Sequence, residues 1–157
     1  MKIELKRFTS NARLSQETTA FAADVWVDGQ KVGHATNDGH GGSTLVHLDR
    51  EVRDAVEAHG KTLVPNEYKS FMSGAEWIVD QLVEAELQKR SDKVFARKIA
   101  AADAKEKSRC AQQGLHAARL RQGDTWLWFG FKTGADPKVI ANAIAPKGKV
   151  VDELIVL

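Results

Sequence analysis

The sequence predicts an α+β fold: a single domain over residues 1–157 in which an antiparallel sheet, built from N- and C-terminal strands, carries a long central helix or helix pair. Three observations lead there. Stretches towards both chain ends, residues 2–7, 21–34, 115–121 and 125–132, alternate between apolar and polar in the manner of strands, whereas residues 50–59 and 73–113 between them have helical spacing and helix-start signals. The length of 157 residues and the hydrophobic share of 43% suffice for one real core and do not require two.

Residues 2–7 open the chain as a strand, with Ile3 and Leu5 on one side and Lys2, Glu4 and Lys6 on the other. The polar run Thr9 to Thr19 has neither period and reads as a loop. Asp28-Gly29 between alternating residues is a strong hairpin signal, because a two-residue type I′ turn needs positive φ at both central positions. Pairing Val27 with Gln30 places Val25 opposite Val32 and Ala23 opposite His34. Phe21, Ala23, Val25, Val27, Val32 and His34 then share the core face. After a glycine-rich segment, Ser43 to Leu48 makes a further short strand.

Asp49 is placed to cap a helix from Arg50 to His59, with Val52, Ala55, Val56 and His59 on one stripe and Gly60 as the stop. Residues 61–72, with Pro65, connect to Ser73-x-x-Glu76, a capping box. Ala75, Ile78, Leu82 and Ala85, flanked by Val79 and Val83, give the core stripe that follows. Phe95, Ile99 and Ala102 are the buried candidates further along, and Gly114 is the stop. The stripe loses register between Gln88 and Asp92, which leaves one helix or two open. Leu115–Arg121 and Thr125–Lys132 read as a hairpin around Gln122-Gly123-Asp124, with Leu127, Phe129 and Phe131 on one face and Trp126 and Trp128 on the other. Asp136-Pro137 is an N-cap followed by proline at the first helical position, opening a short helix over Val139, Ile140 and Ala143 that ends before Pro146. The terminal VVDELIVL reads as a strand buried in the sheet.

Composition narrows the function. No apolar run approaches 18 residues and the first five residues alternate like a strand, so the expected setting is cytoplasmic, with no membrane partner. The single Cys110 rules out an internal disulfide framework and a cysteine-based zinc site, and it reads as a plain small residue. The net charge of +2 conceals a split: residues 1–88 hold 9 Lys and Arg against 14 Asp and Glu, and residues 89–157 hold 14 against 7. Either the two halves attract each other or a basic face awaits an acidic partner.

Two stretches carry candidate chemistry. Asn37, Asp38, Gly39, His40, Gly41, Gly42, Ser43 and Thr44 hold three glycines in four positions, more than a hairpin needs. Consecutive glycines let backbone N–H groups converge on an anion, with His40, Ser43 and Thr44 as side-chain donors, yet the segment lacks the lysine of a phosphate-binding loop. The leading reading is a bulge or wide turn between paired strands, or a surface that touches a protein partner. The second stretch, Lys89 to Arg109, is basic. Arg90, Lys93, Arg97 and Lys98 could follow a phosphate backbone while Trp126 and Trp128 stack on bases, although a solvated helix face also explains the cations. No catalytic residue, cofactor site or metal site is assigned. The histidines at 34, 40, 47, 59 and 116 lack metal-ligand spacing, and only His34, His40 and His47 come from one region.

Ser15-x-Glu17-Thr18, the Asp28-Gly29 hairpin and Asn37-Asp38-Gly39-x-Gly41-Gly42 together resemble the opening of a group of small uncharacterised bacterial and phage proteins. The resemblance covers about the first 45 residues and, more weakly, the last strand. It implies that the loop belongs to the common plan of the fold and that the origin is a phage or mobile element, and it imports no activity. The expected function is that of a small non-catalytic intracellular binding protein, encoded by a phage or mobile element, that acts on a host macromolecule, with a protein as the partner. The alternatives are a nucleotide- or anion-binding protein, or a phosphoester-processing enzyme, using residues 37–44, and nucleic-acid binding through residues 89–109.

Overall fold

A computed structural model describes residues 1–145 and 151–157. The α+β class holds, with antiparallel sheets at both ends of the chain and a long central helix. The strands divide between two sheets, one from each chain end, and the chain groups into two compact units, Met1–Arg90 and Ser91–Leu157.

In the first unit, β1 (Ile3–Ser10), β2 (Phe21–Val27), β3 (Gln30–Asn37) and β4 (Leu45–Leu48) pair in chain order. Asp28 and Gly29 have φ of +48° and +87°, as the two-residue turn requires. Beyond the turn the register departs from the simple hairpin. Trp26 pairs with Lys31 but Val25 pairs with Gly33, so Val32 is an extra residue in a β-bulge. Val32 stays buried, and from Gly33 onward the alternation is inverted: Ala35 and Asn37 point inward, and His34 moves to the outer face opposite Asp24. A second bulge sets Arg7 and Phe8 of β1 against Ala23, with Arg7 at φ +52°, and turns Phe8 into the core. A one-residue slip moves a whole side-chain set across the sheet, so both bulges decide what the core contains.

Helix α1 (Arg50–Leu63) starts after Asp49, whose side chain makes no cap bond, and runs through Gly60 to Leu63. Gly60 is buried inside the helix, not its stop. The reason is tertiary: a Cβ at Gly60 would stand 2.0 Å from the Gly74 carbonyl oxygen, and one at Gly74 would stand 2.3 Å from that of Glu57. Two backbones touch where neither residue has a side chain. The inward residue of α1 is Val56, with Val52 partly buried and Ala55 exposed.

Helix α2 (Gly74–Gln112) is one continuous helix through Gln88–Asp92. Ala75, Val79 and Val83 pack against the sheet residues of the first core, with Leu87 beside them, whereas Ala85 is exposed. Only half of the expected capping box forms. The Ser73 hydroxyl accepts from Glu76 N at 3.3 Å, but the second acceptor group is Glu57, whose carboxylate takes the N–H groups of Gly74 (2.8 Å) and Ala75 (2.9 Å) and the Ser73 hydroxyl (2.8 Å). An acid at a helix N-terminus satisfies orphan donors and complements the dipole. Burial pushes the Glu57 pKa up, but the bonds from Ala75, Gly74 and Ser73 and the nearby Lys61 outweigh it and hold the carboxyl below its ordinary value. The contribution of Glu57 is therefore complete above its unfolded pKa of about 4.3 and is lost as pH falls through the lower folded value. Glu57→Gln should cost ~1 kcal/mol at pH 7, as loss of a cap does. The deficit should shrink toward zero in urea titrations repeated at pH values down to 3; a deficit independent of pH would show that the charge has no part in it.

In the second unit, β5 (His116–Gln122) lies between β6 (Thr125–Phe131) and β7 (Glu153–Val156). Helix α2 ends as the glycine predicts: Gly114 has φ +66°, Leu115 N donates to Cys110 O and Gly114 N to Ala111 O, a Schellman stop. Phe129 and Phe131 join Ala118, Leu120 and Ala141 in a second core, with Leu127 at its margin. Asp136 caps α3 (Pro137–Ile144) by accepting from Lys138 N at 2.8 Å, and Ile140 and Ala141 face inward while Val139 and Ala143 are exposed. Two expectations are corrected. Phe95 is 53% exposed, because the apolar spacing around it is too sparse to make a stripe, and β7 is a half-exposed edge strand because β5 offers it only one side. Pro146 and Val150 lie outside the described residues.

Candidate functional site

The loop between β3 and β4 is built from its buried end upward. Asn37, the last residue of β3, is 8% exposed and uses both ends of its amide. Its Oδ1 accepts from Gly39 N and from the Thr18 hydroxyl, each at 2.8 Å, and its Nδ2 donates to Gly42 O at 2.9 Å. Gly39, at φ +90°, turns its carbonyl toward the N–H groups of Gln16 (2.9 Å), Glu17 (3.1 Å) and Thr18 (3.4 Å). A Cβ there would meet Leu14 O at 2.4 Å. Ser15 closes the preceding turn by donating to Asn11 O and accepting from Ala20 N, both at 2.9 Å. The Ser15-x-Glu17-Thr18 element and the Asn-Asp-Gly-x-Gly-Gly loop are thus two halves of one hydrogen-bonded knot.

This bracing decides what the loop can offer. The Gly39, His40, Gly41 and Thr44 N–H groups donate respectively to Asn37, Asp38, Thr18 and Glu76. They do not converge outward as an anion nest would. His40, Gly41, Gly42 and Ser43 are exposed at the tip, while Asn37, Gly39 and Thr44 are buried beneath.

Beside the tip lies a cleft of about 320 Å³ between the loop and the N-terminal part of α2, from Glu76 to Leu87. Phe21, Val83 and Leu87 give it apolar walls, and Glu76, Asp80 and Glu84 stand on successive turns, since residues four apart share a helix face. Thr44 joins loop to helix: its N–H donates to Glu76 Oε1 at 3.1 Å and its hydroxyl to Asp80 Oδ1 at 2.6 Å. Burial raises the Asp80 pKa; the Thr44 hydroxyl opposes this and Glu76 adds to it. The cleft favours positive charge and disfavours phosphate.

The remaining predicted contacts divide between the two units. Arg90 donates to Phe8 O at 2.6 Å, with its guanidinium over the Phe8 ring and Glu86 3.5 Å away, so it serves the first unit internally. Lys93, Arg97 and Lys98 are exposed on the part of α2 that belongs to the second unit. Trp128 Nε1 donates to Asp103 at 2.7 Å, Asp103 pairs with Arg119, and the Arg119 guanidinium lies 4.7 Å from the Trp126 ring centroid. The tryptophan face therefore carries a layer of protein groups of its own.

Glu76, Asp80 and Glu84 were missed as site residues because they lie more than 30 positions from the loop that they line. The signal was present in their spacing of four and in Glu76 at the head of a helix. Among the described residues no helix is long and apolar enough to cross a membrane, and no group of three or more His, Cys, Asp or Glu is placed to hold a metal ion. Compared with protein-family models, with curated proteins and with solved structures, the chain matches none.

Proposed function

We propose that this chain is a non-catalytic binding protein that recognises another macromolecule, a protein, through the loop tip His40–Ser43 and the carboxylate-lined cleft beside it. The observation that carries the reading is the internal use of four of the loop's N–H groups, those of Gly39, His40, Gly41 and Thr44, together with Glu76, Asp80 and Glu84 in the adjoining wall. A loop fixed by its own hydrogen bonds presents side chains at little ordering cost, and an acidic cleft with apolar walls suits a lysine or arginine with its hydrocarbon stem. The same two facts weigh against the nucleotide and anion reading. A cytoplasmic, phage or mobile-element setting with a host component as the partner belongs to this proposal and draws on the resemblance of the first 45 residues.

The test pairs stability with capture. Gly41 has φ +89° and its Cβ would meet Glu17 Oε2 at 2.2 Å, whereas a Cβ at Gly42 meets nothing within 4 Å. Gly41→Ala should therefore cost more than ~1 kcal/mol and Gly42→Ala much less. His40→Ala with Glu84→Gln, both exposed positions, should leave the melting temperature within a degree or two. This double variant should weaken a partner captured from lysate by at least tenfold. Equal capture by wild type and by the double variant would remove the loop and cleft from consideration.

A further inference from the structure

The bulge at Val32 that carries His34 to the outer face of the sheet also sets it beside a second histidine. His34 and His47 are direct partners across β3 and β4, both exposed, with rings stacked 4.8 Å apart between centroids at 27°. They end a row across all four strands, Lys6, Asp24, His34 and His47. Asp24 in that row is already engaged by Lys31 at 2.8 Å and by Arg7 at 3.6 Å, so the donors the row offers a ligand are the two imidazoles.

We infer that the His34–His47 pair binds a divalent transition-metal ion of the imidazole-preferring class, such as zinc or nickel. Metal–nitrogen bonds of ~2.0–2.1 Å require the two donor nitrogens to lie roughly 3–4 Å apart. Facing rings on adjacent strands reach that spacing by rotating about their Cβ–Cγ bonds, and exposure leaves room for it. The protein supplies two ligands and water completes the shell, which selects against magnesium and calcium, ions that prefer oxygen. Because β3 and β4 flank the loop at residues 37–44, the ion would clip together the two strands from which that loop springs. This inference is independent of what the loop recognises.

Isothermal titration of the untagged full chain with zinc chloride at pH 7.5 tests it. The expected result is one ion per chain, an affinity at least tenfold weaker in each of His34→Gln and His47→Gln, and no change in His59→Gln or His116→Gln. Magnesium chloride, whose ion prefers oxygen ligands, should give no binding heat. Absence of zinc binding in the wild type, or binding unaltered in the two variants while circular dichroism shows all forms folded, would overturn the proposal. A pair that acts only as a packed cross-strand contact gives the first of these outcomes.

Discussion

Gly60→Ala should destabilise the protein by ~3 kcal/mol or more, against the ordinary helix scale on which alanine exceeds glycine by about 1 kcal/mol. The new methyl would point at the Gly74 carbonyl, 2.0 Å from its oxygen and 2.2 Å from its carbon, and neither is the movable end of a side chain. Relief requires the start of α2 to shift, which pulls Gly74 and Ala75 away from the Glu57 carboxylate and disturbs the packing of Ala75 and Val79. At about 2–4 °C per kcal/mol for a chain of this length, the melting temperature should drop by roughly 6–12 °C. The exposed Ala55 on the same helix provides the comparison. Ala55→Gly should cost only ~1 kcal/mol, so that adding a methyl at one site is worse than deleting one at another. A stabilised Gly60→Ala would mean that the two helices do not meet through their backbones.

Asn37→Asp is the second large effect, and it is nearly isosteric. The carboxylate keeps the bonds from Gly39 N and the Thr18 hydroxyl, but the atom that donated to Gly42 O at 2.9 Å becomes an oxygen facing an oxygen, in a buried position. An acceptor left against an acceptor, with a charge added, should cost about 3 kcal/mol at pH 7. The penalty relative to wild type should narrow as pH falls from neutrality toward ~4, because a buried carboxyl set against a carbonyl protonates above the unfolded value of about 3.9 and then again has a hydrogen to give to Gly42. Urea midpoints of both proteins at pH 7 and pH 3.5 measure the difference. A constant gap would show that the Asn37 side chain does not face the Gly42 carbonyl.

Local signals in the sequence were sufficient where the physics is local. The Asp28-Gly29 turn, the Gly114 stop, the Asp136-Pro137 start and the division of Phe129 and Phe131 from Trp126 and Trp128 depend on neighbours within a few residues, and the structure has each of them. The register of the first sheet was legible only to someone counting by threes: Leu5 to Phe8 and Val32 to Ala35 break the period of two where the bulges fall. Gly60 was misread because a glycine that ends a helix and one that admits a second backbone look alike in one dimension. The cap on α2 comes from Glu57 across a connection, so no local pattern could have announced it. Of the candidate site, the loop was evident from its composition. Its acidic neighbours, which invert the electrostatic reading, were not, because only the fold brings residues 76–84 to residues 37–44.

The bulge that seats Phe8 has a further consequence for how this protein meets others. β1 is an edge strand, and a foreign strand seeking to extend the sheet there would need an unbroken ladder of main-chain donors and acceptors. Arg7, at φ +52° in the middle of β1, bends that ladder and puts a long cationic side chain at its midpoint. The opposite edge, β4, is four residues long. Short, bent and charged edges are how sheets discourage fibrils and uninvited strand exchange. The edges of the first sheet are accordingly poor templates for a partner that binds by lending it a strand.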